Sequence, residues 1–173
     1  FHEASIYVFP ASEYAAVQPY VSDILSRLTQ VLANQQTTFP GNESLPFLPL
    51  WNAAQMMQSN VRYFRFANGQ GVRFLSQYGQ AAYPINNESL FYTYQGLTDD
   101  GQYYISAVLP VNHPALPNTM DEGVPNGDWQ TFSENFPAYI EATEPWMDAL
   151  PDDSFTPNLA DLDAMMASLS VNP

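Results

Sequence analysis

Two histidines and no cysteine limit the nucleophiles and general bases available to this chain of 173 residues. His2 lies at the N-terminal end of the sequence, and His113 lies between Asn112 and Pro114. A serine hydrolase needs an activated serine beside its base, and the Gly-x-Ser-x-Gly nucleophile elbow does not occur in the chain. We therefore interpret His113 as a surface or loop-packing histidine rather than a catalytic base, and predict that the chain is not an enzyme.

Carboxylates are the most abundant chemical groups, with 18 Asp and Glu residues. A glycosidase pair is defined by its separation in space, so the sequence alone leaves that possibility open. No segment matches the calcium-binding loop D-x-[DN]-x-[DN]-G-x5-E, so we predict no metal or other cofactor and keep calcium binding as an alternative. The acidic segments weighed for calcium are Asp99-Asp100-Gly101, Asp121-Glu122-Gly123, Asp152-Asp153, and Asp161 with Asp163.

Three of the four arginines, Arg62, Arg65 and Arg73, fall in one predicted hairpin. They could form a small anion site or contact a partner. The simpler interpretation is that they pair with acids elsewhere or lay their stems on aromatic rings. The nearby Gly69-Gln70-Gly71 lacks the third glycine of a dinucleotide-binding fingerprint, so we interpret it as a turn.

The charge is strongly one-sided. The chain has four arginines, no lysine and a formal net charge of −14, and every Lys or Arg lies at or before Arg73. Binding to nucleic acids or anionic membranes needs clusters of basic groups, so both partners are excluded. An acidic surface favours a protein partner with a basic surface.

The composition also gives an indication of the cellular compartment. The absence of cysteine and a start at Phe1-His2-Glu3 without Met suit an extracytoplasmic domain (secreted, periplasmic or cell-surface) from which a signal segment has been removed. The apolar runs are a few residues long, far short of the roughly 20 needed to cross a bilayer, so no membrane span is predicted. Asn42 and Asn87 each begin an Asn-x-Ser sequon and are possible glycosylation sites.

The first half of the chain predicts a strand, a helix and a covering segment. Residues 5–9 are β-branched and aromatic up to Pro10, which is typical of a strand. Apolar residues then recur at helical spacing over residues 14–32, with Ser12 as the expected N-cap and Pro19 as a kink or first turn. Residues 37–50 are apolar and proline-rich, which favours an extended segment packed over the core.

Two hairpins follow. The first is predicted over residues 61–78, where the glycines of Asn68-Gly69-Gln70-Gly71 are expected to supply the positive φ of a tight turn. The second spans residues 90–111 around Thr98-Asp99-Asp100-Gly101, with Gly101 in the left-handed position.

The C-terminal part predicts a loop over residues 112–130 and two helices. The first covers residues 136–147 after a Ser133 cap, and the second begins with Thr156 as cap and Pro157 in the first turn. The predicted fold is one α+β domain over residues 1–173. Its antiparallel sheet of about five strands is built from two hairpins and an N-terminal strand, with one N-terminal and two C-terminal helices packed on it.

The stretch from Leu45 to Pro117 resembles an uncharacterised family of bacterial secreted or lipoprotein-type domains. The resemblance rests on Leu45-Pro46-Phe47-Leu48-Pro49, Asn52-Ala53-Ala54-Gln55, Gly69 to Leu75, Pro84-Ile85-Asn86-Asn87, Leu90 to Thr98, Asp100-Gly101, Tyr103 to Ala107 and His113 to Pro117. That family implies no known activity and no catalytic residue. At a coarser level the order of elements is similar to that of PsbP-like extrinsic domains, which are non-enzymatic and attach to membrane assemblies.

We therefore expect a non-catalytic extracytoplasmic interaction domain, either an accessory subunit of a membrane complex or a component of a cell-surface structure. The alternative is a small-ligand module that binds carbohydrate or calcium. Three tryptophans and 11 tyrosines could stack on sugars, although most aromatic side chains are expected in the core.

Overall fold

A computed structural model describes residues 3–37, 39 and 43–172. The five strands are β1 (Ser5–Pro10), β2 (Ala54–Phe66), β3 (Gly69–Gly79), β4 (Phe91–Thr98) and β5 (Tyr103–Pro110). The five α-helices are α1 (Ala11–Val17), α2 (Tyr20–Asn34), α3 (Trp129–Glu134), α4 (Phe136–Asp148) and α5 (Leu159–Ala167). Within these described residues, no helix is both long enough and apolar enough to span a bilayer.

The strands form one antiparallel sheet in the order β1-β5-β4-β3-β2. The two hairpins lie side by side, and the N-terminal strand pairs with the last strand. This arrangement confirms the predicted α+β fold, in which hairpins and an N-terminal strand supply the sheet. Strands β1 and β2 are its two edges.

Helices cover both faces of the sheet. On one face, α1, α2 and the segment around Phe47 pack on Val72, Phe74 and Tyr104. On the other face, α4 and α5 pack on a second cluster that includes Tyr92 and Ile105. Each fully buried large apolar side chain stabilises the fold by about 1.5–3 kcal/mol relative to an exposed one, so the two clusters hold the helical layers to the sheet.

The N-terminal segment that predicts one helix forms two helices, α1 and α2. Helix α1 ends before Gln18, and Pro19 stands at the start of α2, because proline suits the first turn of a helix and disrupts its interior. The predicted Ser12 cap is wrong. Helix α1 begins directly after β1 at Ala11, with Pro10 in the N-cap position and no side-chain cap hydrogen bond.

The two hairpin turns differ in chemistry. Gly101 has φ of 69°, which confirms its predicted left-handed conformation, and Asp100 accepts hydrogen bonds from Thr98 Oγ1 and Gln102 N–H beside it. Gly69 and Gly71 do not have positive φ, so their predicted role is wrong. A Cβ added at either would lie 2.1 Å from the Phe66 ring or 2.3 Å from the Tyr94 ring, so aromatic packing requires glycine there.

The C-terminal helices have other capping residues than predicted, although α4 begins at Phe136 as the sequence indicates. The predicted Ser133 cap is wrong, because Ser133 lies inside the separate short helix α3 and α4 follows Asn135 with no side-chain cap hydrogen bond. Helix α3 is capped by Asp128, which accepts a hydrogen bond from Thr131 N–H at 3.1 Å. Asn158 caps α5 by accepting from Ala160 N–H at 2.8 Å. The predicted Thr156 cap is wrong, because Thr156 lies two residues before the N-cap position, where its backbone N–H and C=O form an isolated bridge with Asn112.

The proline-rich segment packs in extended conformation over the sheet, as its composition predicts. Leu45, Phe47 and Leu48 are buried. Leu48 N–H donates to Gln95 Oε1 at 3.1 Å, and Leu48 C=O accepts from Ser106 Oγ at 2.6 Å. Buried backbone groups need such partners, and polar side chains of the sheet supply them.

Candidate functional site

Arg62 and Arg73 face each other across the β2–β3 pair. Like charges directly opposite in a sheet repel, so carboxylates must lie nearby to stabilise them. Asp152 and Asp163 do so: Arg62 Nη1 lies 2.9 Å from Asp152 and 3.0 Å from Asp163, and Arg73 Nη2 lies 3.3 Å and 3.1 Å from the same two residues. We call these four residues the ion cluster.

Arg73 is the centre of the ion cluster and is 1% exposed. Its Nε and Nη2 both donate to the carboxylate of Asp163 at 3.1 Å, and its Nη1 donates to Asn60 C=O at 2.6 Å. The hydroxyl of Tyr92 donates to Asp163 at 3.0 Å. Burial, and then the charge of Asp163, raise the pKa of Tyr92 well above its ordinary value, so this hydroxyl remains a donor.

The ion cluster holds the C-terminal helix on the sheet. Each of the three nitrogens of Arg73 donates to a protein oxygen, so most of its N–H donors are already used within the protein. Arg65 does not join the cluster, because it pairs with Asp99 at 2.7 Å in an exposed position. The structure thus brings together two of the three hairpin arginines, and an anion or partner contact through them remains a prediction.

A groove of about 520 Å³ lies between α4 and the bulged part of β2, next to the ion cluster. Asn60 has a positive φ of 55° at the bulge, where the register with β3 shifts. Two carboxylates of α4 hold that irregular backbone: Glu144 accepts from Gln58 N–H at 2.9 Å, and Asp148 accepts from Asn60 N–H at 2.5 Å.

The groove has an acidic rim. Glu141, Glu144 and Asp148 line it from α4, while Arg62 and Arg73 on the other side are neutralised by the ion cluster. Burial, and to a lesser extent the charge of Asp148, raise the pKa of Glu144. A cation or a basic side chain in the groove would relieve this unfavourable field.

The spacing of these acids at i, i+3 and i+7 places them on one face of a helix, and this signal was present in the sequence although none of them was predicted as a site residue. The partners of Arg62 and Arg73 gave no such signal, because Asp163 lies 101 and 90 residues further along the chain. Within residues 3–37, 39 and 43–172, no group of three or more His, Cys, Asp and Glu side chains is arranged to hold a metal ion.

His113 packs in the interior. Its ring lies 5.8 Å from that of Trp146 and 5.0 Å from that of Phe155, and its Nδ1 accepts a hydrogen bond from Ala115 N–H at 3.1 Å. Burial lowers the pKa of His113. This histidine lines neither the groove beside α4 nor the smaller cavity beside α2, so the geometry places it in loop packing.

The two sequons have different positions. Asn42 and the other histidine, His2, lie outside the described residues. The side chain of Asn87 accepts from His113 N–H at 2.8 Å and donates to the carbonyls of His113 and Leu116. A glycan on Asn87 would replace one of the amide hydrogens that make these contacts, and glycosylation at both sites stays a prediction.

The three tryptophans are separated from one another. Trp51 packs edge-on against Phe47, Tyr78 and Phe91, whereas Trp129 contacts Tyr83 and Phe132. Trp146 is 39% exposed and meets His113 edge-on. No family model, curated protein or solved structure matches this chain.

Proposed function

We propose that this chain is a non-catalytic extracytoplasmic protein-interaction domain whose partner presents a basic surface. In this role it would be an accessory subunit of a membrane complex or a component of a cell-surface structure. The observation that carries the proposal is the pairing of all four arginines with Glu43, Asp99, Asp152 and Asp163. This pairing leaves the other 14 of the 18 carboxylates without an arginine partner.

Many of the remaining carboxylates lie close together in the chain and are exposed. They belong to the loop before α3, to its cap, and to α3 and α4; we call them the acidic surface: Asp121, Glu122, Asp128, Glu134, Glu141 and Asp148. A surface of one sign attracts and orients a partner of the opposite sign. The neutralised arginines leave no competing positive field beside it.

The groove beside α4 offers a defined position for a basic side chain. Glu144 and Asp148 are already oriented by backbone N–H donors, so little conformational entropy is lost when they accept a further charged donor. Burial, and to a lesser extent the charge of Asp148, raise the pKa of Glu144, and a Lys or Arg of the partner would stabilise its charged form. We therefore assign the groove to a basic side chain of the bound protein.

The small-ligand alternative has weaker support. Among the described residues that line the groove, Phe39 is the one aromatic side chain, which is less than the aromatic platform on which sugars stack. Calcium prefers six to eight oxygen ligands, and in the described part of the chain no three acidic or histidine side chains are grouped to hold a metal ion. A basic side chain of a protein partner, in contrast, would bind to Glu144 and Asp148 with their backbone hydrogen bonds in place.

Native mass spectrometry of the protein isolated from its source is the direct test of the partner. We expect an assembly of larger mass that dissociates as salt is raised, because screening weakens exposed charge pairs beyond a Debye length of about 8 Å at physiological ionic strength. A bare monomer, or an assembly insensitive to salt, would contradict the proposal.

A second test locates the contact. In the reconstituted assembly, the double variant E134Q/E141Q removes two charges of the acidic surface, and E13Q/D23N removes two exposed charges from α1 and α2. We expect the first to weaken binding roughly 10-fold and the second to have little effect, since rim charges act locally. Equal weakening by both variants would show that net charge alone acts.

A further inference from the structure

Strand β1 is an edge strand, and the hydrogen bonds of its neighbour show which of its backbone groups are free. Val111 N–H donates to Leu90 C=O, which makes the odd-numbered residues of β5 the ones bonded to β4. The even-numbered residues of β5 therefore bond to β1, since the two sides alternate along a strand. Their partners in the β1 register are Ser5, Tyr7 and Phe9.

The backbone N–H and C=O groups of Ile6 and Val8 consequently point away from the sheet. Two further observations agree with this assignment. Ala11 N–H donates to Gln102 C=O at 2.8 Å, which extends the odd-numbered pairing of β1. Pro10, which has no N–H, falls on the outward side, where an edge strand tolerates proline.

The side chains on this edge are apolar and exposed. Ile6, Tyr7 and Val8 are 42%, 40% and 43% exposed. The chain carries no charged residue from Ala4 to Ser12. Natural sheets protect their edges with charges, prolines, bulges, short strands or covering segments. Between Ser5 and Phe9 this edge has no charge, proline or register shift, so it is open to pairing with another strand.

We propose that β1 pairs antiparallel with β1 of a second copy of this chain, forming a two-fold dimer with a continuous ten-stranded sheet. With Tyr7 at the two-fold axis, Ile6 lies opposite Val8 of the second copy, and Val8 lies opposite Ile6 of the second copy. Each of these pairs joins residues whose N–H and C=O groups point away from the sheet, so the register forms four hydrogen bonds. The edge is self-complementary.

Aromatic packing favours the same register. Tyr7 stacks on Phe9 at 5.8 Å, and Phe9 stacks on Tyr104 at 6.3 Å, on the face covered by α1 and α2. At the two-fold axis, Tyr7 meets Tyr7 of the second copy in a non-hydrogen-bonded pair, where side chains are closest. The row of stacked rings then continues from one copy into the other.

The dimer is expected to be weak and to respond to salt in a defined direction. A six-residue strand buries less than the roughly 1,200–2,000 Å² of a standard interface, so we expect a Kd weaker than about 1 μM. The contact is uncharged, but each copy carries a net charge of −14. Salt screens that repulsion and strengthens the dimer, whereas it weakens binding to the basic partner of the proposed function.

Sedimentation equilibrium at increasing protein concentration tests the pairing. We expect wild type to dimerise, with an affinity roughly 10-fold higher at 0.5 M than at 0.05 M NaCl. V8K places a charge in the edge, and V17K replaces another exposed valine at the end of α1, 75% exposed and outside β1. V8K should be monomeric, and V17K should dimerise like wild type. A monomeric wild type, or equal losses in both variants, would overturn the proposal.

Hydrogen exchange gives a readout at single residues and needs no variant. Amide protons of Tyr7 and Phe9 bond to β5 and should be protected at any concentration. Those of Ile6 and Val8 should become protected only as the dimer forms. Protection of Ile6 and Val8 that does not change with concentration would contradict pairing through β1. Because salt acts on the two interactions in opposite directions, failure of the dimer and failure of the basic-partner proposal are distinguishable.

Discussion

The charged side chain of Arg73 is buried, so we expect Arg73 to contribute more to stability than the other arginines do. Replacing it by Met leaves Asp163 in the interior with Tyr92 and the half-exposed Arg62 as its remaining partners. Removing one partner of a buried ion pair costs about 3–5 kcal/mol, and we expect R73M near the lower limit because Arg62 remains. R65M, which removes the exposed pair with Asp99, should cost less than about 1 kcal/mol. Urea denaturation measures both, and similar losses would contradict the structural role of the ion cluster.

Glu144 gives stability a specific dependence on pH. Its pKa is raised by burial and by Asp148, so the folded protein holds this proton more tightly than the unfolded chain does. The resulting stabilisation is present below the unfolded pKa, about 4.3, and is lost as pH rises through the raised value.

The variant E144Q keeps an oxygen for Gln58 N–H but loses the charge. It should therefore be more stable than wild type at pH 7 by a few tenths to about 1 kcal/mol, and should not gain at pH 4. The exposed Glu141 provides the control, since E141Q removes one charge from the same helix without relieving a half-buried carboxylate. Unfolding free energies at pH 4 and pH 7 show whether the gain in stability comes from removing a half-buried charge or from the lower net charge. An equal gain in both variants would point to net charge.

At the scale of elements, two residues near the start of α5 can be compared as its N-cap. The sequence favours Thr156, and the structure uses Asn158. Loss of an N-cap side chain costs about 1 kcal/mol, so N158A should destabilise the protein by that amount. T156A should cost less, because Thr156 contributes its backbone to the bridge with Asn112. Thermal unfolding of the two variants measures the difference, and a larger effect of T156A would restore the prediction from sequence.

How far the sequence predicted each element depended on how local its causes are. The β4–β5 hairpin was predictable because Asp100 and Gly101 carry the turn chemistry themselves. The irregular start of β2 was not, because its bulge is held by Glu144 and Asp148 from α4, 86 and 88 residues away in the chain. The ion cluster was unpredictable for the same reason. Residue type identified the arginines, and only the fold could supply their partners.

At the scale of the whole molecule, the negative charges repel one another, and salt should weaken that repulsion. Fourteen carboxylates without an arginine partner repel one another in the folded state more than in the expanded chain, and screening reduces that cost. We expect the free energy of unfolding at pH 7 to rise by about 1 kcal/mol between 0.02 M and 0.5 M NaCl, where the Debye length falls from roughly 20 to 4 Å. The ion pairs of the four arginines act in the opposite direction, but those of Arg27, Arg62 and Arg65 involve exposed or half-exposed groups and contribute little.

The same titration with divalent salts separates a diffuse field from a specific calcium site. A diffuse field treats Ca²⁺ and Mg²⁺ nearly alike at equal ionic strength, whereas a built calcium site stabilises the folded state by mass action at concentrations near its Kd. We expect the two ions to give matching denaturation curves, because the acidic residues of α4 are spread along a helix and use oxygens on backbone donors of β2. Stabilisation by micromolar Ca²⁺ that Mg²⁺ does not reproduce would favour the ligand-binding alternative and transfer the function of the acidic surface from protein contact to metal binding.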